Sequence, residues 1–131
     1  MRQLPVFPPL FSFRPEVGVS PGGSSLYVAL QLGHMMGVRR FLLYGTDFSF
    51  RFVQAADADP FRSAVGDGNH FIPDYRSGRA WCPPALRDIT LGFLAARCVI
   101  EADGGLIRNT TRGGVLEIFD RQPFETALAL G

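Results

Sequence analysis

The chain has 131 residues, of which 47% are hydrophobic and 19% charged, and thirteen basic side chains against twelve acidic ones leave a formal net charge of +1. This length suits one domain, and the composition is that of a globular protein with a buried core rather than a disordered chain. The absence of a basic stripe argues against a nucleic-acid surface, and no apolar run reaches the roughly 18 residues of a membrane span. We therefore expect a soluble cytoplasmic protein with a single domain over residues 1–131.

The two cysteines, Cys82 and Cys98, have fifteen residues between them. This spacing matches neither a zinc site nor a disulfide framework. We expect both side chains to be reduced thiols, as is usual in the cytoplasm.

Residues 1–23 contain five prolines and end in Pro21-Gly22-Gly23. Proline lacks a backbone donor and disfavours helical angles in the residue before it, so the sequence predicts no helix here. It predicts an extended lead-in with a short strand near Leu10–Phe13.

Two helix–strand pairs follow the lead-in. The first is a helix from about Ser25 to Met36, with apolar residues at helical spacing, and an apolar strand over Val38–Tyr44. The second is a helix that begins after Pro84 and continues past Ile100, and a strand over Leu106–Asn109. An apolar strand directly after a helix is typical of a parallel sheet that is covered on both faces.

The rest of the chain predicts a long loop over 48–83, a possible third strand over Val115–Phe119 and a closing helix over Pro123–Leu130. Two or three strands are few for a doubly wound sheet, which usually has about five. We therefore predict an α/β, Rossmann-like fold with a partial doubly wound, mostly parallel sheet flanked by helices. The chain would be the C-terminal part of a larger domain, or would complete its sheet with another copy as a homo-oligomer.

A glycine-serine turn, Gly23-Ser24-Ser25, opens the first helix. Free N–H groups and the positive end of the helix dipole favour an anion there, and glycine lets a phosphate approach the backbone. The alternative is an ordinary capped helix start, in which a serine hydroxyl only satisfies the backbone.

Polar side chains also follow the two strands. Asp47 comes shortly after the first strand, where a carboxylate can take a metal, a sugar hydroxyl or a proton, or can cap its own loop. Asn109 and Thr110 end the second strand and are expected on the same side as Asp47.

The two histidines differ in their surroundings. His70 lies in the long loop and is the side chain best suited to move a proton near neutral pH, although a lone loop histidine is often only a surface hydrogen-bonding group. His34 lies inside the first helix and is expected to be structural.

Four sequence blocks stand in a distinctive order: Gly23-Ser24-Ser25, Asp47-Phe48-Ser49, Asn69-His70-Phe71 and the run from Asn109 to Phe119. Together, over roughly residues 18–128, they resemble the MptE-like family, which is named for an archaeal 6-hydroxymethylpterin diphosphokinase. Many of its members belong to bacterial lipopolysaccharide, capsule and flagellar glycan clusters. The family's fold is Rossmann-like and is related to that of bacterial sialyltransferases that use CMP-sialic acid.

The resemblance implies that Ser24 and Ser25 lie near a nucleotide phosphate and that His70 is a base at the reacting centre. Asp47 matches the aspartate that both groups carry after the strand. Where the sialyltransferases continue with tyrosines that steady the leaving phosphate, this chain has Ser49-Phe50, so sialyl transfer itself is not implied.

Two hypotheses of different kinds follow. The first is a glycosyltransferase-like or pyrophosphokinase-like enzyme of bacterial cell-surface polysaccharide biosynthesis. It would act on a nucleotide or nucleotide sugar and a glycan or pterin-like acceptor, with His70 and Asp47 as catalytic residues and Mg²⁺ at Asp47 as a candidate cofactor. The second is a non-catalytic relative that binds a glycan intermediate or an assembly partner.

Overall fold

The computed structural model describes residues 11–50 and 84–129, and predictions that concern residues 1–10, 51–83 and 130–131 lie outside the described residues. The chain divides into two compact units, Met1–Asp47 with Ala85–Gly131, and Phe48–Pro84. The described helices and strands all belong to the first of these units. The single domain over 1–131 stays a prediction.

Helix α1 spans Ser25–Met35, close to the bounds that the sequence predicts. Ser24 is its N-cap, and the Ser24 Oγ accepts a hydrogen bond from the backbone N–H of Leu26 at 3.2 Å. This bond satisfies one of the free N–H groups at the helix start. On the inner face of α1, Tyr27 is fully buried, and this burial raises the pKa of its hydroxyl.

The described sheet has two parallel strands, β1 at Arg40–Leu43 and β2 at Leu106–Asn109. Helix α2, Leu86–Ala102, lies between them in the sequence and packs against both α1 and β2, and a short helix α3 spans Phe124–Ala129. The predicted α/β class is thus confirmed as a two-stranded parallel sheet flanked by helices. None of the helices in the described ranges is long and apolar enough to cross a membrane.

The third strand predicted over Val115–Phe119 is wrong. Leu116 and Phe119 are both buried, and two residues three apart cannot share one face of a strand, in which side chains alternate. The segment is bent instead, and the chain rejoins the sheet only at Arg121, through a single parallel bridge to Asn109. Leu116 and Phe119 therefore reach the core from a loop, in which the ring of Phe119 lies 5.5 Å from that of Phe93, whereas Val115 is exposed.

The lead-in also differs from its prediction. Residues 11–13, the described part of the strand expected near Leu10–Phe13, form no strand, and Pro15–Val17 form one turn of 3-10 helix although no helix was expected. Proline is compatible with this turn because it stands at the first position, where its missing N–H has no helical partner in any case.

The fully buried side chain of Gln31 anchors the lead-in on α1. Its Oε1 accepts hydrogen bonds from the backbone N–H groups of Ser12 and Ser20, both at 3.0 Å. Its Nε2 donates to the carbonyl of Ser20 at 2.8 Å and to the carbonyl of Tyr27 at 3.1 Å. One side-chain amide therefore satisfies backbone groups that would otherwise pair with a neighbouring strand.

His34 holds the other end of α1, as the structural role predicted for it requires. It is 8% exposed, and its Nε2 lies 3.1 Å from Asp103 Oδ2, which also lies 2.9 Å from Arg39 Nε. The rings of Phe11 and Phe13 pack edge-on against the imidazole. This cluster joins the end of α1 to the C-cap of α2 and to the residue before β1.

Replacing Gln31 with leucine should destabilise the protein without changing its helix content. Leucine fills a similar volume but leaves buried backbone groups of the lead-in unpaired, each at a cost of about 1–3 kcal/mol. Urea denaturation followed by circular dichroism should show a lower midpoint with an unchanged far-UV spectrum. Gln31→Glu keeps both acceptor contacts but loses the two donors and turns a carboxylate toward the carbonyls of Ser20 and Tyr27, so it should also be destabilising near neutral pH. Part of its loss relative to wild type should be recovered at pH 4, where the carboxyl regains a proton; a loss that does not change with pH would contradict the donor role of Nε2.

Candidate functional site at the carboxyl ends of the strands

Hydrogen bonds join the carboxyl ends of β1 and β2. Leu43 pairs with Asn109 in the register, and the Leu43 carbonyl accepts from both the backbone N–H and the Oγ1 of Thr110, each at 2.8 Å. Beyond the strands, Thr111 Oγ1 accepts from the backbone N–H of Thr46 at 2.9 Å and lies 3.0 Å from Thr46 Oγ1. The loops that follow the two strands therefore form one rigid edge.

Asp47 lies on this edge, as the parallel arrangement requires. Its carbonyl accepts a hydrogen bond from the backbone N–H of Val115 at 2.7 Å. Gly114, with a φ of +74°, passes so close that a Cβ atom there would lie 2.4 Å from the Asp47 Cα. Only glycine fits this approach and this backbone conformation. The close neighbour of Gly114 is thus the Asp47 backbone, whereas a Cβ atom on Gly113 would meet nothing within 4 Å.

Asn109 and Thr110, predicted as ligand-binding residues, are 1% and 3% exposed. Asn109 Nδ2 donates to the Leu116 carbonyl at 2.8 Å, and Oδ1 accepts from the Thr111 N–H at 3.0 Å. These bonds, together with the bond from Thr110 Oγ1 to the Leu43 carbonyl, give both side chains a structural role at the edge. Their binding role stays a prediction.

Arg121 completes the edge and was not singled out from the sequence. Its Nη1 and Nη2 atoms donate to the carbonyls of Gly113, at 2.7 Å, and Gly114, at 3.0 Å, and its Nε donates to Glu117 at 2.7 Å. A guanidinium can fill several carbonyl positions at once because its five N–H groups form a fixed fork. The four-residue spacing of Glu117 and Arg121 was the only sign of this contact in the sequence.

A pocket of about 350 Å³ opens at this edge. It is lined by Asn109, Thr110, Thr111, Arg112, Arg121, Gln122, Pro123, Phe124 and Glu125. The Arg112 side chain is 81% exposed and its Nη2 lies 3.6 Å from Glu125 Oε1, a loose pair that solvent screens. The ring of Phe124 lies 5.4 Å from the ring of Tyr44, which follows β1. The pocket wall thus carries the positive charge of Arg112 and the ring of Phe124, and the ring of Tyr44 lies beside it.

The glycine-serine turn has a packing role at the start of α1. A Cβ atom on Gly22 would overlap the ring of Tyr27, and one on Gly23 would lie 3.0 Å from Ile89 Cγ1 on α2. The Ser24 hydroxyl is the N-cap acceptor, and Ser25 is an exposed residue of the first turn. The turn is therefore a capped helix start, and its part in anion binding stays a prediction.

His70, the predicted base, lies outside the described residues, and its place relative to Asp47 stays a prediction. Within 11–50 and 84–129, no group of three His, Cys, Asp or Glu side chains is arranged to hold a metal ion. Cys98 is an exposed free cysteine, and the reduced state expected for both cysteines stays a prediction.

Comparison with known proteins identifies no relative. No family model, no curated protein and no solved structure matches the chain. The resemblance to the MptE-like family therefore stays a prediction.

Replacing Asn109 with aspartate should destabilise the edge more than an isosteric change normally does. Aspartate keeps the acceptor for the Thr111 N–H but loses the donor to the Leu116 carbonyl and places a carboxylate against that oxygen. We expect a loss of about 1–3 kcal/mol in the free energy of unfolding near neutral pH, measured by urea denaturation. Partial recovery at pH 4 relative to wild type, where the carboxyl regains a proton, would support this cause; a loss that does not change with pH would contradict it.

Proposed function

We propose that the chain binds a nucleotide or nucleotide sugar at the carboxyl edge of its sheet and belongs to a glycosyl- or diphosphoryl-transferase of bacterial surface-polysaccharide biosynthesis. The observation that carries the proposal is the pocket at that edge, with Arg112 on its wall and the Tyr44–Phe124 ring pair beside it. Ligands of open α/β sheets bind outside the carboxyl ends of the strands. The family resemblance supplies the biosynthetic setting.

The chemistry of the pocket suits a phosphate joined to a planar base. The Arg112 guanidinium is bound only loosely to Glu125, so a phosphate with two negative charges can replace that carboxylate and form two parallel hydrogen bonds. The aromatic pair offers a face on which a base can stack. Hydrogen bonds between the loops fix the backbone that carries these groups, which lowers the cost of ordering the site, while the loosely paired Arg112 side chain can turn toward a phosphate.

The transfer step in this proposal uses His70 as the base. In glycosyl transfer, a bond forms between the acceptor oxygen and the anomeric carbon, the bond from that carbon to the nucleotide phosphate breaks, and the phosphate leaves with the electron pair. In diphosphoryl transfer, the acceptor oxygen attacks the β-phosphorus of a nucleoside triphosphate, and the nucleoside monophosphate leaves. In both cases the imidazole takes the proton of the acceptor hydroxyl.

Mg²⁺ would be held by the carboxylate of Asp47, the acidic residue that follows β1 at this edge. This is compatible with the ion, which is often held by one or two carboxylates together with substrate phosphates and water. Bound there, it would neutralise phosphate charge.

Arg112→Ala should weaken nucleotide binding by about tenfold or more, which corresponds to about 1.4 kcal/mol per factor of ten. Isothermal titration calorimetry with CMP and ADP, with and without Mg²⁺, measures the effect. Arg87→Ala, at an exposed position on α2, is the matched control and should bind as the wild type does. No binding of any nucleotide by the wild type would refute the proposal, and equal binding by both variants would place the ligand elsewhere.

A non-catalytic binding module is the second candidate. The observation that favours it is that the Ser24, Asn109 and Thr110 side chains all make hydrogen bonds within the protein. Polar groups used in this way hold a shape rather than reach a reacting atom.

His70→Ala separates the two candidates. If the chain is an enzyme, this variant should lose transfer activity by about 100-fold or more, because a positioned general base contributes 10²–10⁴ to the rate. Nucleotide affinity should stay within twofold of wild type. Unchanged activity would instead favour the binding module. The assay follows release of the nucleotide product over time, with Arg87→Ala as the control.

A further inference from the structure

The pocket at the carboxyl edge carries charges of both signs. Of the residues that line it, three are charged: Arg112, Arg121 and Glu125. The Arg121 guanidinium is already occupied, because it donates to the Glu117 carboxylate and to three carbonyls of the loop that follows β2. The pocket therefore offers a ligand one cation, Arg112, and one anion, Glu125.

These two groups lie next to each other on the pocket wall. The Arg112 Nη2 atom is 3.6 Å from Glu125 Oε1, and the two side chains are 81% and 74% exposed. Solvent screens such a pair, so the contact contributes little to stability and can be exchanged. A phosphate that takes the place of the carboxylate on Arg112 leaves Glu125 close by, with two acceptor oxygens and no donor of its own.

The released carboxylate needs hydroxyl or amino donors from the ligand, because it repels a second phosphate. Glu125 directly follows Phe124, whose ring belongs to the aromatic pair on which a base can stack, and its ion-pair partner is the proposed phosphate ligand. The ribose joins the phosphate of a nucleotide to its base, and its 2′- and 3′-hydroxyls are neutral donors. Acidic side chains that hydrogen-bond the ribose occur in other nucleotide sites of open α/β sheets.

We propose that Glu125 binds the ribose hydroxyls and makes the pocket selective for ribonucleotides over deoxyribonucleotides. This inference rests on the proposed binding of a nucleotide at the carboxyl edge. On binding, the phosphate replaces Glu125 on Arg112, and the ribose hydroxyls replace Arg112 on Glu125. Each charged group thus exchanges a loose partner for a group of the ligand, and neither charge is left unpaired.

Isothermal titration calorimetry of the full chain with CMP and dCMP tests the inference. The two nucleotides share their base and phosphate and differ only in the 2′-hydroxyl, so contacts to the base cancel in the comparison. The wild type should bind CMP about tenfold or more tightly than dCMP, because a hydrogen bond to a charged group is worth a factor of this size.

Glu125→Ala should reduce this preference to within about twofold, because the acceptor of the hydroxyl is gone. The same change frees Arg112 from its carboxylate, so dCMP should bind at least as tightly as it binds the wild type. Arg112→Ala, in contrast, should weaken both nucleotides, since both carry the same phosphate.

Glu16→Ala is the matched control, because Glu16 is also an exposed glutamate but does not line the pocket. This variant should keep the preference of the wild type for CMP. Circular dichroism checks that each variant keeps its helices.

Equal binding of CMP and dCMP by the wild type would overturn this inference and leave nucleotide binding at the edge intact. A preference for CMP that survives in Glu125→Ala would also overturn it, since another residue would then bind the hydroxyl. Binding of neither nucleotide by the wild type is a different result, which would count against the proposed function and would remove this inference with it.

Discussion

Asn109 holds the carboxyl edge of the described sheet together, through both its backbone and its buried side-chain amide. Its backbone N–H donates to the Asp120 carbonyl, its carbonyl accepts from the Gln122 N–H, and its side chain binds Thr111 and Leu116. An amide with both donors and acceptors can satisfy several backbone groups that are cut off from water, each of which would otherwise carry a penalty. One position in β2 thereby fixes the loop after the strand and the return of the chain to the sheet.

The buried amide of Gln31 holds the lead-in against α1, as the buried amide of Asn109 holds the loop that follows β2. Each amide replaces strand partners that the two-stranded sheet does not supply, and each holds an irregular segment against a regular one. Arginine extends this arrangement at the surface, where Arg97 donates to the Ile118 carbonyl at 2.6 Å and pairs with Asp120 at 3.0 Å, and where Arg121 closes the glycine turn. Side-chain bonds to the backbone thus stabilise loops that have little repetitive structure of their own.

The proposed nucleotide pocket depends on this framework. Side chains fix the backbone of the loops around it, so a ligand meets a wall whose course is already set. The Arg112 side chain, which is 81% exposed, is the part of the wall that can adjust to a phosphate.

The sequence alone determined the regular elements of the described unit. Periodic apolar residues, the Ser24 cap and the glycine after each helix located α1 and α2, and short apolar runs located β1 and β2, because these signals are local. It also put Asp47 and Asn109 at one edge, since parallel strands end on the same side. The tertiary structure alone decided that residues 115–119 bend and that Gln31, Asn109 and Arg121 act as anchors. These outcomes depend on which distant backbone groups lack a partner, and hydrophobic periodicity carries no information about them.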